Sequence, residues 1–231
     1  MNDPTSDTLQ AALARYGLEL PEDQLAQLDR YCRLLWDWNE KLNLTRHTDY
    51  DKFASRDVLD SVQLSRLLEP GEEVLDVGSG GGVPGISLAI IRPDLQVSLS
   101  ESIGKKAQVL DAMARDLDLP TPIYHSRAED LLEDFRFDAL IARAVGPLWK
   151  MCTWFAPHWH AFGRLLAIKG PRWVEERREA RERGLLRHVE LRKAVVYRMP
   201  GTESDSVILK LRAKSSDERN SNPHEEEGDE S

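Results

Sequence analysis

The sequence of 231 residues predicts an α/β fold: a mostly parallel, doubly wound sheet of seven strands with a C-terminal antiparallel hairpin and an N-terminal helical extension. Three observations carry that expectation. Apolar residues in the first seventy positions recur with helical period, and from Glu72 onward short apolar runs alternate with helical segments. The last two apolar runs then follow one another with no helix between them.

In the extension, residues 1–70, Leu25, Leu28, Cys32, Leu35, Asn39 and Leu42 recur at three- and four-residue spacing, and Pro21 suits the first turn of the helix they form. A shorter helix is expected over residues 56–68. Strands are expected near 74–77, 96–100, 123–125, 138–142 and 165–168, with helices over 85–91, 105–117, 148–158 and 173–186. Alternation of this kind implies right-handed crossovers between parallel strands. The runs "VELRKAVVYRMP" and "SDSVILKLR", joined by "GTE", should pair antiparallel at the end of the sheet, closing a unit over 71–214. No internal repeat is present.

Composition bounds the rest. Hydrophobic residues make up 41% of the chain, enough for one sizeable core. No apolar run approaches the roughly 20 residues of a membrane span, and "MNDPTSDTLQ" lacks the basic and apolar regions of a signal peptide, so a cytoplasmic protein is expected. Cys32 and Cys152 form no C-x-x-C pair and read as buried thiols. The net charge of −9 argues against a nucleic-acid partner only until its distribution is considered. Residues 215–231 carry seven acids and one base, which leaves −3 for residues 1–214. This tail has no apolar residue and is expected to be disordered.

The densest motif is "LDVGSGGGVPG", residues 75–85, behind the first strand. Glycines there let backbone N–H groups approach a ligand at the carboxyl ends of the strands. A phosphate loop G-x-x-x-x-G-K-[ST] is excluded, because no lysine follows and Gly104-Lys105 is framed by Leu99 and Lys106. Counted from Gly78, the third glycine of a dinucleotide G-x-G-x-x-G falls on Val83, which disfavours an NAD-dependent oxidoreductase. Glu101 stands at the tip of the second strand, where a carboxylate accepts hydrogen bonds from the ribose hydroxyls of an adenosine, whether of NAD or of S-adenosylmethionine.

Beyond the loop, "WNEKLNLT" (38–45), "RDVLDS" (56–61), "DVGSGGGVPGI" (76–86), "SRAEDL" (126–131), "ARA" (142–144) and "IKG" (168–170) stand in the order and spacing of the bacterial RsmG (GidB) methyltransferases, which the chain resembles over residues 30–212. The resemblance implies a class I, Rossmann-like enzyme that uses S-adenosyl-L-methionine to methylate N7 of one guanosine in small-subunit (16S) ribosomal RNA. It further implies cofactor contacts at Gly78, Val83, Ala128, Glu129 and Arg143, with Gly78 near the methionine part, Val83 an apolar wall, Ala128 and Glu129 at the adenine edge and Arg143 beside the transfer point. In many relatives Asp replaces Glu101, His replaces Asp57, and Phe-Ala-Ser replaces Val145-Gly146-Pro147.

Guanine N7 carries an in-plane lone pair, so its methylation needs alignment and electrostatic stabilisation rather than a general base. No catalytic acid or base is therefore assigned, and Arg143 is expected to position the cofactor carboxylate or the guanine O6. No Asn/Asp-Pro-Pro-aromatic motif follows the fourth strand, and Cys152 sits inside a helix, which disfavours exocyclic-amine and cytosine-C5 chemistry. For RNA, the expected contacts are Asn43, Arg56, Lys105, Lys106 and Lys169, with Arg127, Arg143 and Arg172 near the same edge. Asn39, Asn43 and Thr45 are read equally as caps of the long helix and as residues closing over substrate. His158 and His160 diverge at i,i+2, and no metal site is expected. The expected partner is small-subunit rRNA or a 30S-type particle, met by a monomer. A non-catalytic RNA-binding assembly protein with the same fold is the alternative from another class.

Overall fold

The computed structural model describes residues 6–215, so all but the first residue of the acidic tail lies outside the described residues. Seven strands form one sheet in the order β3-β2-β1-β4-β5-β7-β6. They are β1 Glu73–Val77, β2 Gln96–Ser100, β3 Ile123–Tyr124, β4 Phe137–Arg143, β5 Phe162–Lys169, β6 Val189–Arg198 and β7 Asp205–Ala213. The first five are parallel. β7 inserts antiparallel between β5 and β6, because a short turn rather than a crossover joins it to β6.

Side chains alternate across the sheet and feed two apolar clusters. Val74, Leu99, Ile141, Leu166 and Ile208 face one layer, formed by α5 Gly85–Ile91, α6 Gly104–Asp116 and the N-terminal helices α1 Leu9–Arg15 and α2 Glu22–Asn39. Leu75, Leu140, Ala142, Leu165 and Leu209 face the other, formed by α7 Ala128–Asp134, α8 Leu148–Phe155 and α9 Trp173–Glu182. Leu28, Tyr31 and Leu35 of α2 are fully buried in the first cluster beside strand residues, so the extension shares the core of the sheet.

Pro21 stands at the N-cap of α2, where its missing N–H costs nothing. The helix expected over 56–68 begins earlier and is irregular: α3 Tyr50–Lys52 runs into π-helical turns at Phe53–Val58 and then α4 Leu59–Ser65. Asp49 starts it by accepting the Lys52 N–H. The helix expected to 158 ends at Phe155 and continues as a 3-10 turn, Ala156–His158, in which Pro157 has no N–H to extend the α-ladder. The short α7 is not among the expected elements, since seven residues hold too little periodicity to reveal it. Among the described residues no helix is long and apolar enough to cross a membrane.

Leu35 touches the glycine loop, its Cδ1 lying 3.0 Å from where a Cβ on Gly81 would stand. Leu35→Ala should therefore lower the unfolding free energy by about 2–5 kcal/mol in urea titrations, the cost of a cavity in a packed core. A loss under about 1 kcal/mol would show that α2 is not part of the common core.

Candidate functional site

Parallel register places the carboxyl ends of β1 to β5 along one edge: Val77 pairs with Ser100 and Ala142, Ser100 with Tyr124, and Arg143 with Ile168. The glycine loop leaves β1 on this edge. Gly78 has φ +64, a conformation costly for any side chain, and a Cβ there would stand 3.2 Å from Val145 of the loop after β4. The loop is bonded to β2, since Ser79 N donates to Ser100 O at 3.0 Å and Gly80 N to Glu101 Oε2 at 3.0 Å. Glu101 is buried, and its Oε1 accepts the Ile103 N–H at 2.8 Å. A carboxylate offers about four acceptor positions, so two remain for further donors.

Asp76, the penultimate residue of β1, ties the loop to its helix. Its Oδ2 accepts the Gly85 N–H at 3.0 Å. Gly85 has to be glycine here, because a Cβ would stand 2.6 Å from that oxygen. Asp76 Oδ1 is buried and meets no donor. Burial pushes the Asp76 carboxyl up to about 7. The extension closes the loop from the other side: the buried Tyr31 donates its hydroxyl to Gly81 O at 2.8 Å. Asn39 Oδ1 accepts the Leu44 and Thr45 N–H groups at 2.8 and 2.9 Å, so Asn39 caps the chain after α2, while Asn43 is exposed.

At the end of β4, Arg143 Nη1 lies 2.7 Å from Asp57 Oδ1 and 3.1 Å from Asp60 Oδ2. His47 Nδ1 lies 2.9 Å from Asp57 Oδ1, and Tyr197 of β6 donates its hydroxyl to Asp60 Oδ1 at 2.5 Å. Burial opposes charge on Arg143, yet the two carboxylates outweigh it and hold the guanidinium more firmly protonated than an ordinary arginine. Burial pushes the Asp60 carboxyl up against the pull of Arg143 and the Tyr197 hydrogen bond.

Of the residues singled out from the sequence, Gly78, Glu101 and Arg143 meet at the strand edge. Val83 is buried and packs into the apolar cluster of the N-terminal helices. Ala128 is buried and Glu129 half-buried, in the first turn of α7, where N–H groups have no partner within the helix. Lys105 is exposed and Lys106 half-buried at the start of α6, and Arg56 donates to Pro200 O at 3.3 Å in the hairpin turn. Lys169 departs from the reading of a cation open to RNA: it is 9% exposed, with its ammonium 2.8 Å from Glu176 Oε2. Asp57, Asp60, Tyr31 and Ile103 escape the sequence reading of the site. Ile103, two residues past Glu101, is an apolar side chain 52% exposed. Both cysteines are buried, and burial pushes the Cys152 thiol up to about 11, leaving it unreactive near neutral pH.

Counted from Gly80 rather than Gly78, the loop does contain G-x-G-x-x-G, at Gly80, Gly82 and Gly85, and Gly85 makes the close helix-to-strand contact of a third glycine. Glycine spacing therefore does not separate a dinucleotide from S-adenosylmethionine.

The sheet order with its one inserted antiparallel strand, the glycine loop after β1 and the acid after β2 define the class I methyltransferase architecture. Two solved structures share the fold: a mutant of MtNAS in complex with S-adenosylmethionine, 14% identical with a TM-score of 0.56 over 79% of this chain and 73% of that one, and a precorrin-6y C5,15-methyltransferase from Geobacter metallireducens, 12% identical with a TM-score of 0.50 over 75% and 95%. In sequence, residues 24–204 match the family model GidB, rRNA small subunit methyltransferase G. A ribosomal RNA small subunit methyltransferase G of Rhodopirellula baltica is 56% identical over 80% of each chain, and one of Chlorobaculum tepidum is 37% identical over 74% of this chain and 80% of its own. The chain belongs to the GidB family of small-subunit rRNA methyltransferases.

The Asp76 environment yields a test. The ordinary carboxyl value of 3.8 applies to the unfolded chain and about 7 to the folded one, so the folded protein holds this proton to higher pH. That contribution to stability is complete below about pH 4 and is lost as pH rises through about 7. The melting temperature should fall between pH 5 and pH 8, and Asp76→Asn should flatten that fall. Identical pH profiles for the two proteins would contradict the assignment.

Proposed function

We propose that the strand edge binds S-adenosyl-L-methionine and that the enzyme transfers its methyl group to N7 of a guanosine in small-subunit (16S) rRNA. The observation that carries the cofactor reading is the coupling of the glycine loop to Glu101, with an acceptor of Asp76 left without a donor behind it. In this reading Glu101 receives the ribose hydroxyls, Ile103 lies against the adenine, Ala128 and Glu129 meet its polar edge, and Gly78 and Val83 border the methionine part. When bound, the cofactor supplies an electrophilic methyl on a sulfonium. The protein's share is orientation and field, because guanine N7 needs no deprotonation.

The role of Arg143 shifts from that expected of the sequence. With Asp57 and Asp60 both on it, its positive charge is already offset, and the three groups carry a net charge of −1 when both carboxylates are ionised. Arg143 thus fixes the end of β4 rather than recruiting another anion. In that ionisation state the negative balance of these three groups suits a site where cofactor and methylated base are cationic. Lys105, Lys106, Arg56 and Asn43 remain the proposed RNA-facing residues. The substrate, naked rRNA or a 30S-type particle, is met by a monomer in the cytoplasm.

Mapping N7-methylguanosine in 16S rRNA tests this reading. Small-subunit rRNA from cells lacking the enzyme should gain one such nucleotide on incubation with the protein and S-adenosylmethionine. Glu101→Ala should lower kcat/KM for the cofactor by about tenfold or more, the scale of a lost charge-assisted hydrogen bond. Absence of methyl transfer from the wild-type protein would favour a non-catalytic assembly protein; methylation at another atom would refute the N7 assignment.

A further inference from the structure

The loop between β4 and α8, residues 144–147, borders the glycine loop through Val145 and carries a conformation its sequence does not favour. Ala144 has φ +57, in the left-handed region that costs a residue bearing a Cβ. Such a conformation persists where its surroundings over-determine it, and both ends of this loop are gripped. Before the loop, Arg143 is held by Asp57 and Asp60. After it, the ammonium of Lys169, the last residue of β5, donates to Gly146 O at 2.5 Å and to Glu176 Oε2 at 2.8 Å. The same Glu176 oxygen accepts the Leu148 N–H at 2.8 Å. One ion pair from β5 and α9 thus fixes the carbonyl before Pro147 and the amide after it.

We propose that Lys169 and Glu176 are positioning residues for methyl transfer: they hold loop 144–147 in the single conformation that faces the target base. This deepens the functional reading above and rests on it. A direct phosphate contact for Lys169 is the weaker alternative, because two of its three donors are already engaged on protein acceptors and the side chain is 9% exposed. Glu176 supports the clamp through its charge, which keeps the ammonium ordered beside a neutral carbonyl.

The test separates position from affinity. Lys169→Met and Glu176→Gln should each lower kcat for methylation of small-subunit rRNA by about 10- to 100-fold, the scale of a misplacement near 1 Å. The dissociation constant for S-adenosylmethionine, by calorimetry, should stay within about threefold of wild type, and the salt dependence of RNA binding should keep its slope. Lys169→Arg, which retains donors and charge, should recover part of the rate. Ala144→Gly added to Lys169→Met removes the backbone strain, and should restore the melting temperature without restoring kcat. Recovery of both by Ala144→Gly, an unchanged kcat in Glu176→Gln, or a shallower salt slope in Lys169→Met would each overturn the proposal. A wild-type enzyme that makes no N7-methylguanosine would instead defeat the functional reading, and is scored before any variant.

Discussion

The contact of Arg143 with the buried Asp57 and Asp60 joins two parts of the chain that are remote in sequence. Asp57 comes from π-helical turns of the extension, Asp60 from the helix that follows them, and Arg143 from the end of β4. Tyr197 adds the edge strand through Asp60, and His47 adds the segment beyond α2 through Asp57. An isolated charge at this depth is strongly disfavoured, so each group depends on the others, and losing one leaves a buried charge uncompensated. The extension is held to the sheet at the edge where the glycine loop and Glu101 lie. Tyr31 and Leu35 bring the same helix layer directly against that loop. The cradle is therefore built by both parts of the chain.

Much of this is legible in the sequence, and the legible parts share a cause. The strands expected over 74–77, 96–100 and 138–142 lie within one residue at each end of β1, β2 and β4, whose side chains are mostly buried on both faces of the sheet. The terminal hairpin follows from the absence of room for a crossover. Local chemistry marks the glycine loop and Glu101, and the structure joins them through Gly80 N–H. What escapes is set by contacts across the chain. Asp57 and Asp60 look like acids on a helix until β4 places Arg143 between them. Ile103 is a single apolar residue with no motif around it, and only its exposure two positions past Glu101 draws attention to it. Lys169 follows a strand, like the cations of a nucleic-acid face, but Glu176 seven positions on turns it inward.

The glycine loop shows where local reading stops. Its spacing fits a dinucleotide motif in one register and not in another, so the cofactor is chosen by what surrounds it rather than by the loop. Here that is an edge carrying a carboxylate cluster, a strained loop after β4 and a helical extension packed over the opening. For the proposed transfer to a lone pair already exposed, such a frame has to hold geometry and charge, and its residues bond chiefly to each other and to backbone.

Titration calorimetry of the wild-type protein with S-adenosylmethionine and with NAD, side by side, tests the central claim that this edge is an S-adenosylmethionine site. The account predicts one binding event per chain with S-adenosylmethionine and none with NAD at the same concentrations. Binding of NAD with no response to S-adenosylmethionine would contradict it.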